Sequence, residues 1–269
     1  MSEENAAKTS RMPWVEKYRP SKLDDLISHE EIISTMDSTT QCKMSLAYYY
    51  DLMSQPSRAL YIIFKMSGVQ FEDCPVALRN GEHLTEDYKT KINRFQKVPC
   101  IIDDGFKLAE SIAILRYLSS KGKIPEYLYP KYFVEQARVD EFLEWQHITL
   151  RATCSLYFRT VWLDPLLTGK KPSQEKIENL KSYMEINLGI IENIWLENSD
   201  FLCGKHMTVA DIFAACEIEQ TRMADYDVRI KHPKIRAWLK RVRAACNPHY
   251  DHAHQFVYKI SGTAPHSKL

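Results

Sequence analysis

The chain has 269 residues, which is enough for one or two domains with a sizeable apolar core. With 36 Lys and Arg against 35 Asp and Glu, the net charge of +1 indicates neither a nucleic-acid partner nor an anionic membrane surface. The 7 cysteines form no Cys-x-x-Cys pair and no apolar run approaches the roughly 20 residues of a membrane span, so we predict a cytoplasmic protein without a disulfide framework, zinc site or membrane helix.

Residues 1–44 are polar and form no complete unit of strands and helices. The acidic start, Met1–Asn5, argues against an ordinary secretory signal. Residues 12–35, which begin Met-Pro-Trp-Val-Glu-Lys-Tyr-Arg-Pro, resemble the N-terminus of a replication factor C small subunit. The phosphate-binding pattern Gly-x-x-x-x-Gly-Lys-Ser/Thr that should follow is missing from the sequence, so ATP hydrolysis cannot be carried over. We predict a largely mobile N-terminal extension, with a docking peptide as the alternative.

Residues 45–122 alternate between strand and helix patterns, which predicts a βαβ unit and a ββα unit on one mixed sheet. Pro56 is typical of a first helical position, and Gly68 of the residue that follows a helix. Asp103-Asp104-Gly105 predicts the tight turn of a hairpin. The predicted strands are Leu46–Tyr50, Phe71–Ala77, Val98–Ile102 and Phe106–Leu108, and the predicted helices are Pro56–Ser67, Thr85–Ile92 and Ser111–Lys121.

Ser54 lies where the first strand turns into the first helix. Free N–H groups and a partial positive charge converge at a helix N-terminus, so an anion, or a thiol losing its proton, would be stabilised there. The alternative is that Ser54 only caps its own helix. This stretch by itself favours the cap.

Residues 123–130, with two prolines, form a predicted linker, and residues 131–260 are almost wholly helical before a tail at 261–269. Thr208 and Asp211 fit a capping box, in which two side chains satisfy helix N–H groups reciprocally. The fold class is therefore α/β followed by an all-α bundle. The predicted helices are Tyr132–Trp162, as one helix or two, Ser173–Leu196, Thr208–Ala224, Pro233–Cys246 and a shorter last one.

Six segments of the chain, taken together and in this order, are far more specific than any one of them alone: Asp51–Ala59, Gly81–Leu84, Asn93–Pro99, Ala109–Leu115, Ala137–His147 and Phe201–Asp211. Together they resemble the cytosolic glutathione transferases, and more narrowly the theta class in its insect-like form, over residues 45–260. The resemblance implies a thioredoxin-like N-terminal domain that binds glutathione, a helical domain that helps form the electrophile site, and a homodimer.

For Ser54, the resemblance implies a hydrogen bond donated to the glutathione thiolate. A free thiol has a pKa of about 8.5, and lowering this pKa by one unit requires about 1.4 kcal/mol. A hydroxyl bound to an anion supplies roughly 1.5–3 kcal/mol, so Ser54 suffices for a useful change. Tyr50 lies at the end of the first strand, where other classes carry an activating tyrosine, and it could share or exchange this role.

The resemblance also assigns a set of residues to the rest of glutathione. The bend before a cis proline pairs its backbone with the cysteinyl part, the start of the following helix holds the γ-glutamyl end, and two basic side chains reach the glycyl carboxylate. These positions are, in that order, Val98 with Pro99, Glu110 with Ser111, and His83 with Lys97.

The electrophile site is assigned to Arg151, Tyr157 and Phe158. Arg151 matches an arginine that stabilises a departing anion in theta enzymes, and its alternative role is an interdomain salt bridge. Tyr157 and Phe158 are placed in the hydrophobic pocket, although aromatic residues at helical spacing are more often core.

The predicted function is conjugation of glutathione to small hydrophobic electrophiles such as alkyl halides and epoxides, with reduction of organic hydroperoxides as a further activity. Glutathione is a co-substrate, and no cofactor, metal, nucleic acid or membrane is required. The alternative is a non-catalytic module of the same fold, used for dimerisation or assembly. A third hypothesis, a clamp-loader-derived replication protein, is disfavoured by the missing phosphate loop.

Overall fold

The computed structural model describes residues 46–262. The predicted extension at residues 1–44, its resemblance at 12–35 and most of the predicted tail lie outside the described residues. Among the described residues, no helix is both long and apolar enough to cross a membrane.

A mixed sheet of four strands in the order β2-β1-β3-β4 forms the N-terminal part of the described chain. β1 pairs with β2 in parallel and with β3 in antiparallel fashion, and β3 pairs with β4 in a hairpin. The βαβ-ββα prediction is confirmed. The strands are β1 (Leu46–Tyr50), β2 (Glu72–Pro75), β3 (Cys100–Asp103) and β4 (Phe106–Ala109), and the helices are α1 (Gln55–Met66), α2 (Glu86–Lys91) and α3 (Ser111–Ser120).

The predicted boundaries hold where a local residue type determines them. Pro56 lies in the first turn of α1, and Gly68 has φ 67° just beyond its end. Asp104 and Gly105 both have positive φ, 48° and 82°, as a two-residue hairpin turn requires. Short 3-10 turns at Leu78–Asn80 and Glu82–Leu84 connect β2 to α2 and were not predicted.

The C-terminal part of the described chain is helical. The predicted long helix is interrupted at Thr149, where φ is −109° and ψ is −89°. The Thr149 hydroxyl donates to the Trp145 carbonyl one turn earlier, an arrangement that bends helices. The helices are α4 (Phe133–Ile148), α5 (Leu150–Phe158), α6 (Asp164–Thr168), α7 (Gln174–Ile190), α8 (Val209–Gln220), α9 (Pro233–Cys246), α10 (His249–Ala253) and α11 (Gln255–Ser261), with π-helical turns at Arg159–Leu163 and Ile191–Trp195 and 3-10 turns at Thr221–Ala224 and Val228–Ile230.

Helix α8 is buried along its whole length and packs against α1 of the N-terminal part and α5 of the helical part. The predicted capping box at its start is confirmed, since Asp211 accepts from the Thr208 N–H at 2.8 Å. The Asp211 carboxylate also accepts from the Trp238 indole N–H at 2.8 Å, which ties α8 to α9. One central helix therefore connects the sheet unit to the bundle.

The described cysteines are free thiols: Cys74, Cys100, Cys154, Cys203, Cys216 and Cys246. Burial raises the pKa of Cys100 to about 11 and the pKa of Cys203 and Cys216 to about 12. Within residues 46–262, no group of three His, Cys, Asp or Glu side chains is arranged to hold a metal ion.

Candidate functional site

Ser54 occupies the N-cap position of α1 with an extended backbone, φ −87° and ψ 126°. Its N–H donates to the Asp51 carbonyl at 2.9 Å, and its carbonyl accepts from the Arg58 N–H at 3.0 Å. The Ser54 hydroxyl makes no capping bond to the helix. The side chain therefore lies at a helix N-terminus while its donor remains available for a ligand.

The turn from Asp51 to Ser54 is braced by the Asp51 carboxylate. One oxygen accepts from the Met53 N–H at 2.8 Å, and the other accepts from the Leu78 N–H at 3.0 Å. Because Leu78 opens the 3-10 turns after β2, this carboxylate joins the Ser54 turn to the segment that carries His83.

A polar pocket of about 210 Å³ lies beside the start of α1. It brings together most of the residues that the sequence assigned to glutathione, together with the arginine assigned to the electrophile. The lining includes Pro56, Lys97, Val98, Pro99, Glu110, Ser111 and Arg151. The lining joins residues of α1, the Val98–Pro99 loop, the connection from β4 to α3, and α5, which come from four separate stretches of the sequence.

The Val98–Pro99 peptide is cis, as the resemblance implied. In the part of the chain that the structure describes, neither the Val98 N–H nor its carbonyl has a backbone partner. Two hydrogen bonds fix the loop that precedes Val98. The Lys97 carbonyl accepts from the Asn93 side-chain amide at 2.8 Å and from the Tyr88 hydroxyl at 3.0 Å. Sequence reasoning gave neither Asn93 nor Tyr88 a role.

Glu110 precedes α3 with φ 68° and ψ 112°, which is unusual for a residue other than glycine. Its side chain makes no capping bond to α3, and Ser111, the first residue of that helix, is buried. The backbone thus directs Glu110 and Ser111 into the polar pocket at a second helix N-terminus.

His83 lies on the 3-10 turn Glu82–Leu84, half-buried and away from the lining of the polar pocket. Its Nδ1 is buried without a hydrogen-bond partner among the described residues. Burial lowers the pKa of His83, and the nearby Asp51 carboxylate opposes that change.

The hydroxyl of Tyr50, unlike that of Ser54, has a hydrogen-bond partner among the described residues. Its hydroxyl donates to an Asp73 carboxylate oxygen at 2.9 Å, and its ring stacks on Tyr48 at 4.8 Å. Burial and the bond to Asp73 raise the pKa of Tyr50. Its proton is therefore already engaged within the protein.

A larger, mostly apolar cleft of about 850 Å³ is lined in part by residues 50–53, which precede Ser54. Met53 lines this cleft and Pro56 lines the polar pocket, so the residues next to Ser54 in the chain reach both cavities, although Ser54 itself is in neither lining. The cleft lining also includes Tyr50, Trp162, Leu166, Phe256 and Ile260. The last two belong to α11, whose approach to β1 no local pattern indicates.

The aromatic residues predicted for the electrophile site lie behind the cleft surface. Tyr157 is 5% exposed and packs edge-on against Tyr226 in the core. Phe158 stacks on Trp162 with 5.4 Å between ring centroids, and Trp162 itself reaches the cleft. The assignment of Tyr157 and Phe158 to the electrophile stays a prediction.

Arg151 lines the polar pocket and lies 3.8 Å from Glu217, which is 2% exposed. Both residues belong to the helical part, on α5 and α8, so this ion pair is not the interdomain bridge that the sequence suggested as the alternative. Burial raises the pKa of Glu217 to about 7, and Arg151 opposes that rise.

Fold and site together define a glutathione-transferase architecture, and the comparisons agree: the chain belongs to the glutathione S-transferase family. The family models "Glutathione S-transferase, N-terminal domain" and "Glutathione S-transferase, C-terminal domain" match residues 44–120 and 165–245.

The relatives are of the theta class. Glutathione S-transferase theta-1 of Mus musculus is 37% identical over 226 residues, covering 82% of this chain and 92% of the relative. The apo structure of human glutathione S-transferase T1-1 is similar with a TM-score of 0.77 and 36% identity, over 82% of this chain and 93% of that one. The structure of human glutathione transferase theta-2, solved in complex with glutathione, is similar with a TM-score of 0.76 and 34% identity, over 83% of this chain and 92% of that one. The predicted theta-class resemblance is confirmed, and the non-catalytic module is not favoured.

Proposed function

We propose that this protein stabilises the thiolate of glutathione and conjugates it to small electrophiles, so that RX and glutathione give the S-conjugate and HX. The observation that carries the proposal is the place of Ser54, whose uncommitted hydroxyl lies at the α1 N-terminus, next in the chain to Met53 of the apolar cleft and two residues before Pro56 of the polar pocket. The theta-class relatives, one of them solved with glutathione, support the same reaction.

Glutathione is the co-substrate, and the polar pocket suits its charged ends. The carboxylate of the γ-glutamyl end meets the Ser111 hydroxyl and the α3 N-terminus, while its ammonium meets Glu110. The Val98 N–H and carbonyl pair with the cysteinyl backbone as a further strand would. Lys97 and His83 serve the glycyl carboxylate at the far end.

In the reaction, the Ser54 hydroxyl donates to the thiolate sulfur and keeps its own proton. The thiol proton is released to solvent before attack. The sulfur then forms a bond to carbon, and the leaving group departs with the bonding electron pair. Arg151 stabilises that departing anion from the pocket wall.

The apolar cleft supplies the electrophile site, with Met53, Trp162 and Phe256 on its walls. Its lining suits alkyl halides and epoxides, which lack charge and gain from burial of apolar surface. With an organic hydroperoxide, two glutathione molecules are oxidised to the disulfide while the peroxide is reduced to an alcohol and water.

The test is the ultraviolet absorption of glutathione thiolate on the protein as a function of pH, together with turnover of an electrophile panel. We expect Ser54→Ala to raise the pKa of the bound thiol by about 1 to 2, the equivalent of one hydrogen bond to an anion. Turnover near pH 7 should fall in proportion to the thiolate fraction. A wild-type protein with neither a thiolate band nor turnover would sink the proposal.

We also propose a cytoplasmic homodimer. Exposed apolar side chains on the sheet unit, Phe95 at 53% and Phe106 at 50%, support a partner surface. The free thiols of the described part suit a reducing compartment. Sedimentation velocity at micromolar concentration and cell fractionation test the two statements, and a monomer or a membrane-bound pool would contradict them.

A further inference from the structure

Arg58, in the first turn of α1, is a buried cation that the proposed reaction does not use. It is 0% exposed, and among the described residues no carboxylate lies within ion-pair distance of its guanidinium. Its hydrogen bonds go to neutral acceptors. Nη1 donates to the Leu52 carbonyl at 2.9 Å and to the Met53 carbonyl at 3.4 Å, whereas Nη2 donates to the Cys216 carbonyl at 3.0 Å and to Gln220 Oε1 at 2.5 Å.

Gln220, the last residue of α8, completes this contact. It is 0% exposed, and its Nε2 donates to the same Met53 carbonyl at 3.4 Å. The Met53 carbonyl belongs to the peptide unit whose N–H is that of Ser54, and this N–H donates to the Asp51 carbonyl at 2.9 Å. The peptide immediately before Ser54 is therefore held on both of its sides.

We propose that Arg58 and Gln220 are positioning residues, which fix the Met53–Ser54 peptide to the end of α8 and thereby direct the Ser54 hydroxyl at the thiolate. The inference rests on the proposed function of Ser54. According to this inference, the helical part helps to position the thiolate donor in addition to lining the electrophile cleft.

An apolar side chain at position 58 would fill the same space but leave the Leu52 carbonyl and Gln220 Oε1 buried without their donor, and the Met53 carbonyl with only the bond from Gln220 at 3.4 Å. A guanidinium reaches four acceptors from one stem in a fixed plane, which an ammonium cannot do. The carbonyls at the end of α8 also favour a cation, because a helix C-terminus carries partial negative charge. Position matters for catalysis, since a displacement of about 1 Å can reduce a rate by about a hundredfold.

The decisive variant is Gln220→Met, because Arg58→Met leaves so many acceptors unpaired that we expect it to unfold the chain. Gln220→Met keeps the volume and removes both polar contacts. Gln146→Met is the matched control: Gln146 on α4 is equally buried, at 0% exposure, but neither of its side-chain polar atoms has a partner among the described residues. Gln220→Glu keeps the acceptor for Arg58 and serves as the conservative variant.

We expect Gln220→Met to lower kcat about tenfold and to raise the pKa of the glutathione thiol on the protein, with little change in KM for glutathione. Gln220→Glu should recover part of the loss, and Gln146→Met should match wild type. In the double variant Ser54→Ala with Gln220→Met, the loss should be no greater than in Ser54→Ala alone, because Gln220 acts through Ser54.

Two results would overturn the inference while leaving the proposed function intact: Gln220→Met indistinguishable from Gln146→Met, or losses that multiply in the double variant. Thermal unfolding of each variant separates a misplaced hydroxyl from an unfolded chain. Wild-type protein without a thiolate band would overturn both the inference and the proposed function.

Discussion

Ser54 and Tyr50 lie on the same strand-to-helix connection but present their hydroxyls to different surroundings. The Ser54 hydroxyl makes no bond to its helix, whereas the Tyr50 hydroxyl donates to Asp73. A donor that is already engaged gains less from a new acceptor, and Tyr50 is a weaker acid than an ordinary tyrosine because burial and Asp73 raise its pKa. The geometry thus favours Ser54 as the thiolate donor.

We therefore predict that Tyr50→Phe keeps kcat within about twofold of wild type and leaves the pKa of bound glutathione unchanged. Loss of the bond to Asp73 should lower the free energy of unfolding by about 0.5–1.5 kcal/mol. Steady-state kinetics, thiolate absorption and urea unfolding measure these quantities. A Tyr50→Phe protein that loses its thiolate while Ser54→Ala keeps it would reverse the two assignments.

Glu110 combines the charge that we propose meets the ammonium of glutathione with a backbone conformation that few residues other than glycine adopt. Glu110→Gln should raise KM for glutathione about tenfold, as expected for loss of one charge-assisted hydrogen bond, with kcat nearly unchanged. Glu110→Gly should weaken glutathione binding similarly, yet without a lower melting temperature, because glycine adopts φ 68° without strain. Equal KM values for wild type and Glu110→Gln would remove Glu110 from the glutathione site.

Helix α8 carries a buried carboxylate that should make the protein sensitive to acid. Glu219 is 1% exposed, accepts from Arg222 at 2.9 Å and from the Tyr250 hydroxyl at 2.9 Å, and also pairs with Arg229. Burial works against its charge, but Arg229 and Arg222 outweigh burial and hold the pKa of Glu219 well below its usual range. A depressed pKa in the folded state means that Glu219 stabilises the fold above the unfolded value of about 4.3 and that this stability is lost as the pH falls below it.

Glu219→Gln should consequently lower the melting temperature at pH 7 and flatten its fall between about pH 5 and pH 3. Glu197→Gln, an exposed position without an ion pair among the described residues, is the control and should follow the wild-type curve. Calorimetry at a series of pH values measures the effect. Parallel curves for Glu219→Gln and wild type would contradict the prediction.

The ends of α1 could be predicted from the sequence because Pro56 and Gly68 act through their own backbones. The interruption at Thr149 carries a weaker signal, since threonine is common within helices. The burial of Arg58 could not be predicted either: it lies one turn before Ile62, but Gln55 and Lys65 share its face of α1, so the local pattern does not distinguish it from an exposed arginine. The cleft could not be predicted, because Met53 and Phe256 come from opposite ends of the described chain and meet only through tertiary packing.

At the scale of the whole described chain, two cavities of different character are lined by residues close to Ser54 in the sequence, Pro56 in one and Met53 in the other. The polar pocket draws on α1, α3 and the Val98–Pro99 loop, and the apolar cleft draws on β1, the π-helical turn Arg159–Leu163 and α11. Each cavity includes residues of both the sheet unit and the helical part. Under the proposed function neither part alone supplies a complete site, so we expect the packing of α8 on α1 to be a condition for catalysis.

A catalyst of alkylation is itself a target for alkylation, because cysteine thiolates react with the same electrophiles as glutathione. Burial raises the pKa of Cys100 to about 11, so its thiol stays protonated at pH 7 and reacts slowly with electrophiles. Peptide-mapping mass spectrometry after many turnovers with an alkyl halide should find the four buried cysteines, Cys100, Cys154, Cys216 and Cys246, unmodified, whereas in the urea-unfolded chain they should be alkylated. Adducts on Cys100 or Cys216 of the folded protein would contradict this. The fold thus shields its buried thiols from the reagents that react with the sulfur of the co-substrate.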